Sequence, residues 1–121
     1  MMKKNGEGTY IWKSGSVYKG EWKNDQQHGP GIYNYASGDV YRGGWNNGDM
    51  EGYGIMDYAN GNVYTGQWKN DYKDGYGTYI WKSGDVYSGE WKNDKHHGKG
   101  TYTWKNGDVF SGDWIHGSRS I

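Results

Sequence analysis

The side chains that could ligate a metal or move a proton are His28, His96, His97 and His116 and the loop acids Asp25, Asp71, Asp74 and Asp94. Zinc needs its ligands gathered at one point. These histidines are strung along the chain, and no cysteine stands beside them. The aspartates do not follow the calcium-loop pattern with its closing glutamate. Loop hydrogen bonding is the role expected for the histidines, and solvation for the acids. Gly75-Tyr76-Gly77 resembles a phosphate cradle only in its glycines, because Thr78-Tyr79-Ile80 continues as a strand and no Lys-Ser/Thr follows. No serine has a plausible histidine and aspartate partner nearby in sequence. The reading is a chain with no enzyme signal, no cofactor and no metal.

What does repeat is aromatic. Tyr18, Tyr41, Tyr64, Tyr87 and Phe110 recur every 23 residues, as do Gly20, Gly43, Gly66, Gly89 and Gly112, and Trp22, Trp45, Trp68, Trp91 and Trp114. A fixed period of this length marks a repeat array, in which each unit buries its apolar face only by stacking on its neighbours. Residues 1–121 read as one such array.

Composition agrees. Hydrophobic residues are only 32% of the 121, whereas aromatics reach 18% and there are 23 glycines, so tyrosine and tryptophan must pack where leucine and isoleucine ordinarily would. The formal net charge is zero, with 14 basic and 14 acidic residues. No basic run offers a footprint for nucleic acid, and zero net charge favours self-association. Without cysteine the chain is compatible with a reducing, cytoplasmic site. Met1-Met2-Lys3-Lys4 is followed by no apolar signal region, and no apolar run is long enough to span a membrane.

The elements that carry the repeat are strands. Gly8-Thr9-Tyr10-Ile11-Trp12 and Val17-Tyr18-Lys19-Gly20-Glu21-Trp22 alternate with period two and flank a Ser-Gly turn signal. Later units turn at Ser37-Gly38, Asn60-Gly61, Ser83-Gly84 and Asn106-Gly107. This predicts five hairpins near 8–22, 31–45, 54–68, 77–91 and 100–114, or about ten strands, joined by polar loops such as Asn24–His28 and Asn70–Asp74. For Tyr33 and Tyr41 to share a face, the loop must be odd. A three-residue loop Ala36-Ser37-Gly38 with Gly38 at positive φ pairs Tyr33 with Tyr41, Gly31 with Gly43 and Gly29 with Trp45. An aromatic ring lying over each glycine gap would explain why both glycines repeat. The other face carries charges such as Lys19, Glu21 and Lys23, and one apolar series, Val17, Val40, Val63, Val86 and Val109.

Tyr18, Gly20, Trp22, His28, Gly29 and Gly31, and again Tyr87, Gly89, Trp91, His97, Gly98 and Gly100, resemble the MORN repeat (membrane occupation and recognition nexus). Five in-phase copies cover nearly the whole chain. Glu51 and Asp74 stand where the family often has histidine, Met56 replaces a tyrosine, and Phe110 replaces the repeating Tyr. The resemblance implies an all-β, elongated, single-layer antiparallel sheet curved into a groove. It also implies a scaffold or adaptor in a cytoplasmic setting, such as a cytoskeletal or ciliary assembly. On this expectation Tyr18, Trp22, Tyr41, Trp45, Tyr64, Trp68, Tyr87 and Trp91 line a groove for an extended or helical partner segment. Two alternatives stand beside it. One is a phosphoinositide-binding tether to a membrane phospholipid surface, using Lys19, Lys23 and Arg42. The other is end-to-end homo-oligomerisation through unpaired edge strands.

Overall fold

The computed structural model describes residues 4–115 and the backbone of 118–119. Met1–Lys3 and His116 lie outside the described residues. The chain folds as one open antiparallel meander, each strand bonded to the next in sequence order. Its strands are β1 (Gly6–Ile11), β2 (Val17–Lys23), β3 (Gln26–Asn34), β4 (Val40–Asn46), β5 (Asp49–Asp57), β6 (Val63–Lys69), β7 (Tyr72–Ile80), β8 (Val86–Lys92), β9 (Lys95–Thr103), β10 (Val109–Ile115) and β11 (Ser118–Arg119).

The hairpin register is the expected one. Tyr33 pairs with Tyr41, Gly31 with Gly43 and Gly29 with Trp45. Tyr35 N–H donates to the Asp39 carbonyl at 2.9 Å, closing a three-residue loop in which Gly38 has φ of 101°.

The connections between hairpins differ from expectation. Asn24–His28 and Asn70–Asp74 are not loops. Asn24 and Asp25 both take positive φ, 50° and 68°, so the chain reverses within two residues, and strand resumes at Gln26. Asn70 and Asp71 repeat this turn before β7. Such turns match the natural twist of paired strands, and Asn and Asp tolerate the left-handed conformation. The sheet therefore runs through every connection without a break.

Each of these junctions carries a bulge. Gly20 pairs with Gly31 and Trp22 with Gln27, so Glu21 alone faces His28, Gly29 and Pro30. Gly29 takes φ of 71° at the bulge, which accounts for the first glycine of each Gly-x-Gly pair.

Cross-strand pairing builds continuous rows over the sheet. One runs Tyr10, Tyr18, Tyr33, Tyr41, Met56, Tyr64, Tyr79, Tyr87, Tyr102, Phe110. Beside it lies a row made only of glycines, from Gly8 through Gly54 and Gly66 to Gly112. Each repeating tyrosine lies flat over this trough. A Cβ added at Gly31 would fall on the Tyr18 ring, and one at Gly54 on the Tyr41 ring. A ring on the neighbouring strand thus covers the gap.

Two ladders of hydrogen bonds stitch one repeat to the next. At the turns, Lys4 N–H donates to Asp25 Oδ1 at 2.6 Å, Met50 N–H to Asp71 Oδ1 at 2.7 Å, and Lys73 N–H to Asp94 Oδ1 at 2.7 Å. These three acids are clamps rather than solvated loop acids. At the opposite end of the strands, Ser16 Oγ, Asp39 Oδ1, Asn62 Oδ1 and Asp85 Oδ1 accept from the N–H groups of Ala36, Ala59, Lys82 and Lys105.

Candidate binding surface

The eight residues expected to line the groove form the core. Tyr18, Tyr41, Tyr64 and Tyr87 are 0% exposed, and Trp22, Trp45, Trp68 and Trp91 lie between 4% and 7%. The cause is depth. Tyr18 sinks into the glycine trough and is walled by Trp22 at 5.0 Å and by Trp45 of the next repeat at 5.5 Å, both edge to face. Tyr41 and Tyr64 are walled in the same way by Trp45 and Trp68, and by Trp68 and Trp91.

Their polar atoms are satisfied inside. Tyr18 Oη donates to the Glu21 carbonyl at 3.0 Å, and Tyr41, Tyr64 and Tyr87 donate to Gly44, Gln67 and Glu90. The Nε1 of each of these four tryptophans donates to the carbonyl of the glycine 14 residues earlier, as Trp91 does to Gly77 at 3.1 Å. Burial pushes the phenols of Tyr18 and Tyr87 up to about 12, and those of Tyr41 and Tyr64 higher still, so all four remain donors.

Above this tier the same face holds partly buried rings, among them Tyr33, Tyr79 and Tyr102 in the row and Trp12, Tyr35, Tyr58 and Trp81 at the hairpin loops. Between them the repeats leave a box of rings, and the residue that enters it is Lys4, Gln27, Met50, Lys73 or His96 in turn. Lys73 Nζ sits 5.5–6.0 Å from the centroids of its rings, 5.5 Å from Trp91 and 5.7 Å from Tyr64 among them, and pairs with Asp94 at 3.4 Å. His96 lies 3.9 Å from Tyr87, 4.6 Å from Trp91 and 5.0 Å from Trp114. Its burial, with Lys73 nearby, lowers its pKa from 6.5 to about 4. The Nδ1 atoms of His28 and His96 are buried and have no hydrogen-bond partner among the described residues. Loop hydrogen bonding does not describe these two histidines. The sequence reading missed the box because its occupant changes type in every repeat.

The opposite face carries most of the exposed large hydrophobic side chains. Ile11, Val17, Val40, Val63, Ile80, Val86 and Val109 share one cross-strand row there with Asn34, Asp57 and Thr103. The next row runs Lys19, Ile32, Arg42, Ile55, Thr65, Thr78, Ser88, Thr101, Ser111. Beyond the glycines stand Glu7, Pro30, Tyr53, Tyr76 and Lys99, one per repeat. A hollow of about 490 Å³ lies between these rows, lined by Tyr53, Thr65, Gln67, Tyr76, Thr78, Ser88, Lys99 and Thr101. A second hollow of about 490 Å³ continues the same alignment near Lys19, Pro30 and Ile32. Tyr53 is 58% exposed and Tyr76 66%.

The basic groups proposed for lipid are interleaved with acids. Arg42 is held by Asp57 at 2.6 Å, and Glu21 stands between Lys19 and Lys23 on β2. Among the described residues no group of three or more His, Cys, Asp or Glu is placed to hold a metal ion. Among the described residues no helix is long and apolar enough to cross a membrane.

The MORN repeat family matches the chain in five consecutive stretches, residues 3–17, 18–40, 41–63, 64–86 and 87–109. No curated protein matches it. MORN repeats generally mediate protein or membrane interactions. The row of tyrosines over glycines, the bulged junctions and the five matched stretches agree: the chain belongs to the MORN-repeat family.

Proposed function

We propose that this chain is a non-catalytic protein-interaction scaffold whose partner lies in the groove of the polar face, across β5–β9. The observation that carries this is the exposure of Tyr53 and Tyr76 over the hollow. Their position is filled by Glu7, Pro30 and Lys99 in the other repeats, so the fold has no need of an aromatic there. Exposed aromatic side chains beside a concave surface are the residues that most often anchor a protein partner. The setting we propose is cytoplasmic, in a cytoskeletal or ciliary assembly, by analogy with the family alone.

A lipid tether through Lys19, Lys23 and Arg42 is less favoured, because Asp57 and Glu21 offset these charges and no dense basic cluster results. The test is affinity capture of the tagged chain from its native extract. A stoichiometric protein that is retained by the parent chain and lost with Tyr53→Ser plus Tyr76→Ser supports the scaffold. Retention unaffected by that pair of substitutions overturns the groove. Binding to vesicles that rises with anionic lipid and falls with salt would move the reading to the membrane.

A further inference from the structure

We infer that the groove recognises a polyproline II segment, with a proline-bearing ridge seated against Tyr53 and Tyr76. The inference rests on the scaffold reading and names the conformation of the partner. Its first support is spacing. Tyr53 on β5 and Tyr76 on β7 occupy equivalent places in successive repeats, with β6 between them. Two inter-strand steps of about 4.8 Å put them roughly 9.6 Å apart along the groove. A polyproline II helix repeats every three residues with a rise of about 3.1 Å each, or about 9.3 Å per turn. An extended β-segment returns the same face every ~6.8 Å, and a helix presents successive turns every ~5.4 Å. Only the polyproline ridge meets both rings in adjacent turns.

The second support is hydrogen-bonding polarity. Proline offers a carbonyl and no N–H, so a proline-rich ligand presents mainly acceptors. The groove supplies donors: the Gln67 amide and the hydroxyls of Thr65, Thr78, Ser88 and Thr101 line the same hollow as the two rings. Thr78 and Ser88 already share one hydrogen bond at 3.1 Å, in which either can donate, so each retains capacity for a ligand carbonyl. The third support is that both rings stand free of the core. Among the described residues no aromatic contact ties Tyr53 or Tyr76 to another ring, whereas every tyrosine of the core row has such contacts. Flat, exposed aromatic faces on a rigid sheet suit a preformed polyproline ligand, which has little conformational freedom left to lose.

The experiment is a titration of the ¹⁵N-labelled full chain with three synthetic probes. These are a ten-residue peptide with proline at every third position, an alanine-rich helical peptide of the same length, and a cello-oligosaccharide. The expected result is amide shifts centred on Tyr53, Thr65, Gln67, Tyr76 and Thr78 with the proline peptide alone. Tyr53→Ser and Tyr76→Ser should each weaken that binding about tenfold while leaving Tm unchanged. Shifts produced by the helical peptide or the sugar, and not by the proline peptide, overturn the polyproline assignment and leave the groove intact as a binding surface. Proline-peptide shifts that survive both substitutions overturn it too. If none of the probes moves these amides, while affinity capture still yields a partner that depends on the two tyrosines, the scaffold stands and the ligand class is wrong. If capture fails as well, both readings fall.

Discussion

Replacing Gly54 by alanine should destabilise the array by about 3 kcal/mol, and replacing Gly8 should not. The two glycines hold the same place in the repeat. At Gly54 a Cβ falls on the ring and hydroxyl of Tyr41, which is fully buried and donates to the Gly44 carbonyl at 3.0 Å. The ring must lift. Overpacking of this kind costs about 1–3 kcal/mol, and stretching or losing the hydroxyl's bond adds about 1 kcal/mol. At Gly8 no tyrosine ring lies within reach, and the new Cβ meets only Trp22, at 3.6 Å, an ordinary contact. Neither glycine has positive φ, so backbone strain does not enter the comparison. Urea unfolding followed by tryptophan fluorescence measures both variants. A Tyr41→Ala background should shrink the effect of Gly54→Ala, since the obstacle is gone. Equal effects at Gly8 and Gly54, or no rescue by Tyr41→Ala, would refute the claim that the glycine row exists to seat the tyrosine rings.

The remaining predictions use the same assay. Tyr64→Phe keeps the ring and deletes the donor to the Gln67 carbonyl; a loss of about 1 kcal/mol is expected. Phe110→Tyr places a hydroxyl where four other repeats have one, and a gain of about 0.5–1 kcal/mol in chemical denaturation is expected. Folded His96 resists protonation until about pH 4, whereas an unfolded histidine takes its proton near 6.5. The unfolded state therefore binds more protons in between, so stability should fall as pH drops from 6.5 toward 4 and stay level with respect to this group above 6.5. His96→Met, which copies Met50 in the second repeat, should remove that part of the pH dependence. Lys73→Met should cost less than ~1 kcal/mol, since Met50 already fills the equivalent box, whereas Lys73→Ala should cost about 2 kcal/mol by emptying it.

The register was legible because two constraints met at one place. The face shared by Tyr33 and Tyr41 required an odd loop, and Gly38 supplied the positive φ that a three-residue loop needs. The connections were misread because Asn24-Asp25 is followed by Gln26, Gln27 and His28, which look like loop by polarity alone. Pairing with β2 makes them strand. The box was hidden for a different reason. Its walls repeat as Tyr and Trp, but its contents vary through lysine, glutamine, methionine and histidine, because a ring-lined slot accepts any long side chain that can lie along it. The stitching series was hidden likewise, since Ser16, Asp39, Asn62 and Asp85 share only a short side chain with an acceptor oxygen. The depth of Tyr18 and its equivalents was missed because a one-layer sheet ordinarily leaves a face open. Here rings lie in a glycine trough, and one layer of backbone closes over one layer of aromatics.

Strand alternation then separates the core face from the groove face by the width of one residue. Gly54 and Gly77 point to the core and admit no side chain, while Tyr53 and Tyr76, their immediate neighbours, point to the groove and touch nothing the fold requires. The polar-face position is therefore free to change from repeat to repeat, and it does: Glu7, Pro30, Tyr53, Tyr76, Lys99. The core row, by contrast, holds Tyr in every place but two, Met56 and Phe110, beside an unbroken row of Gly. A partner that runs along the groove crosses these five residues in order, about 9.6 Å apart. It meets an acid, an apolar ring, two aromatic rings and a base. Order along the groove thus has a direction. Exchanging Tyr76 with Lys99 would leave composition, charge and core unchanged, yet should weaken a partner that needs the two rings in adjacent repeats. Stability that stayed constant while affinity fell would place specificity in this row, and constant affinity would remove it from there.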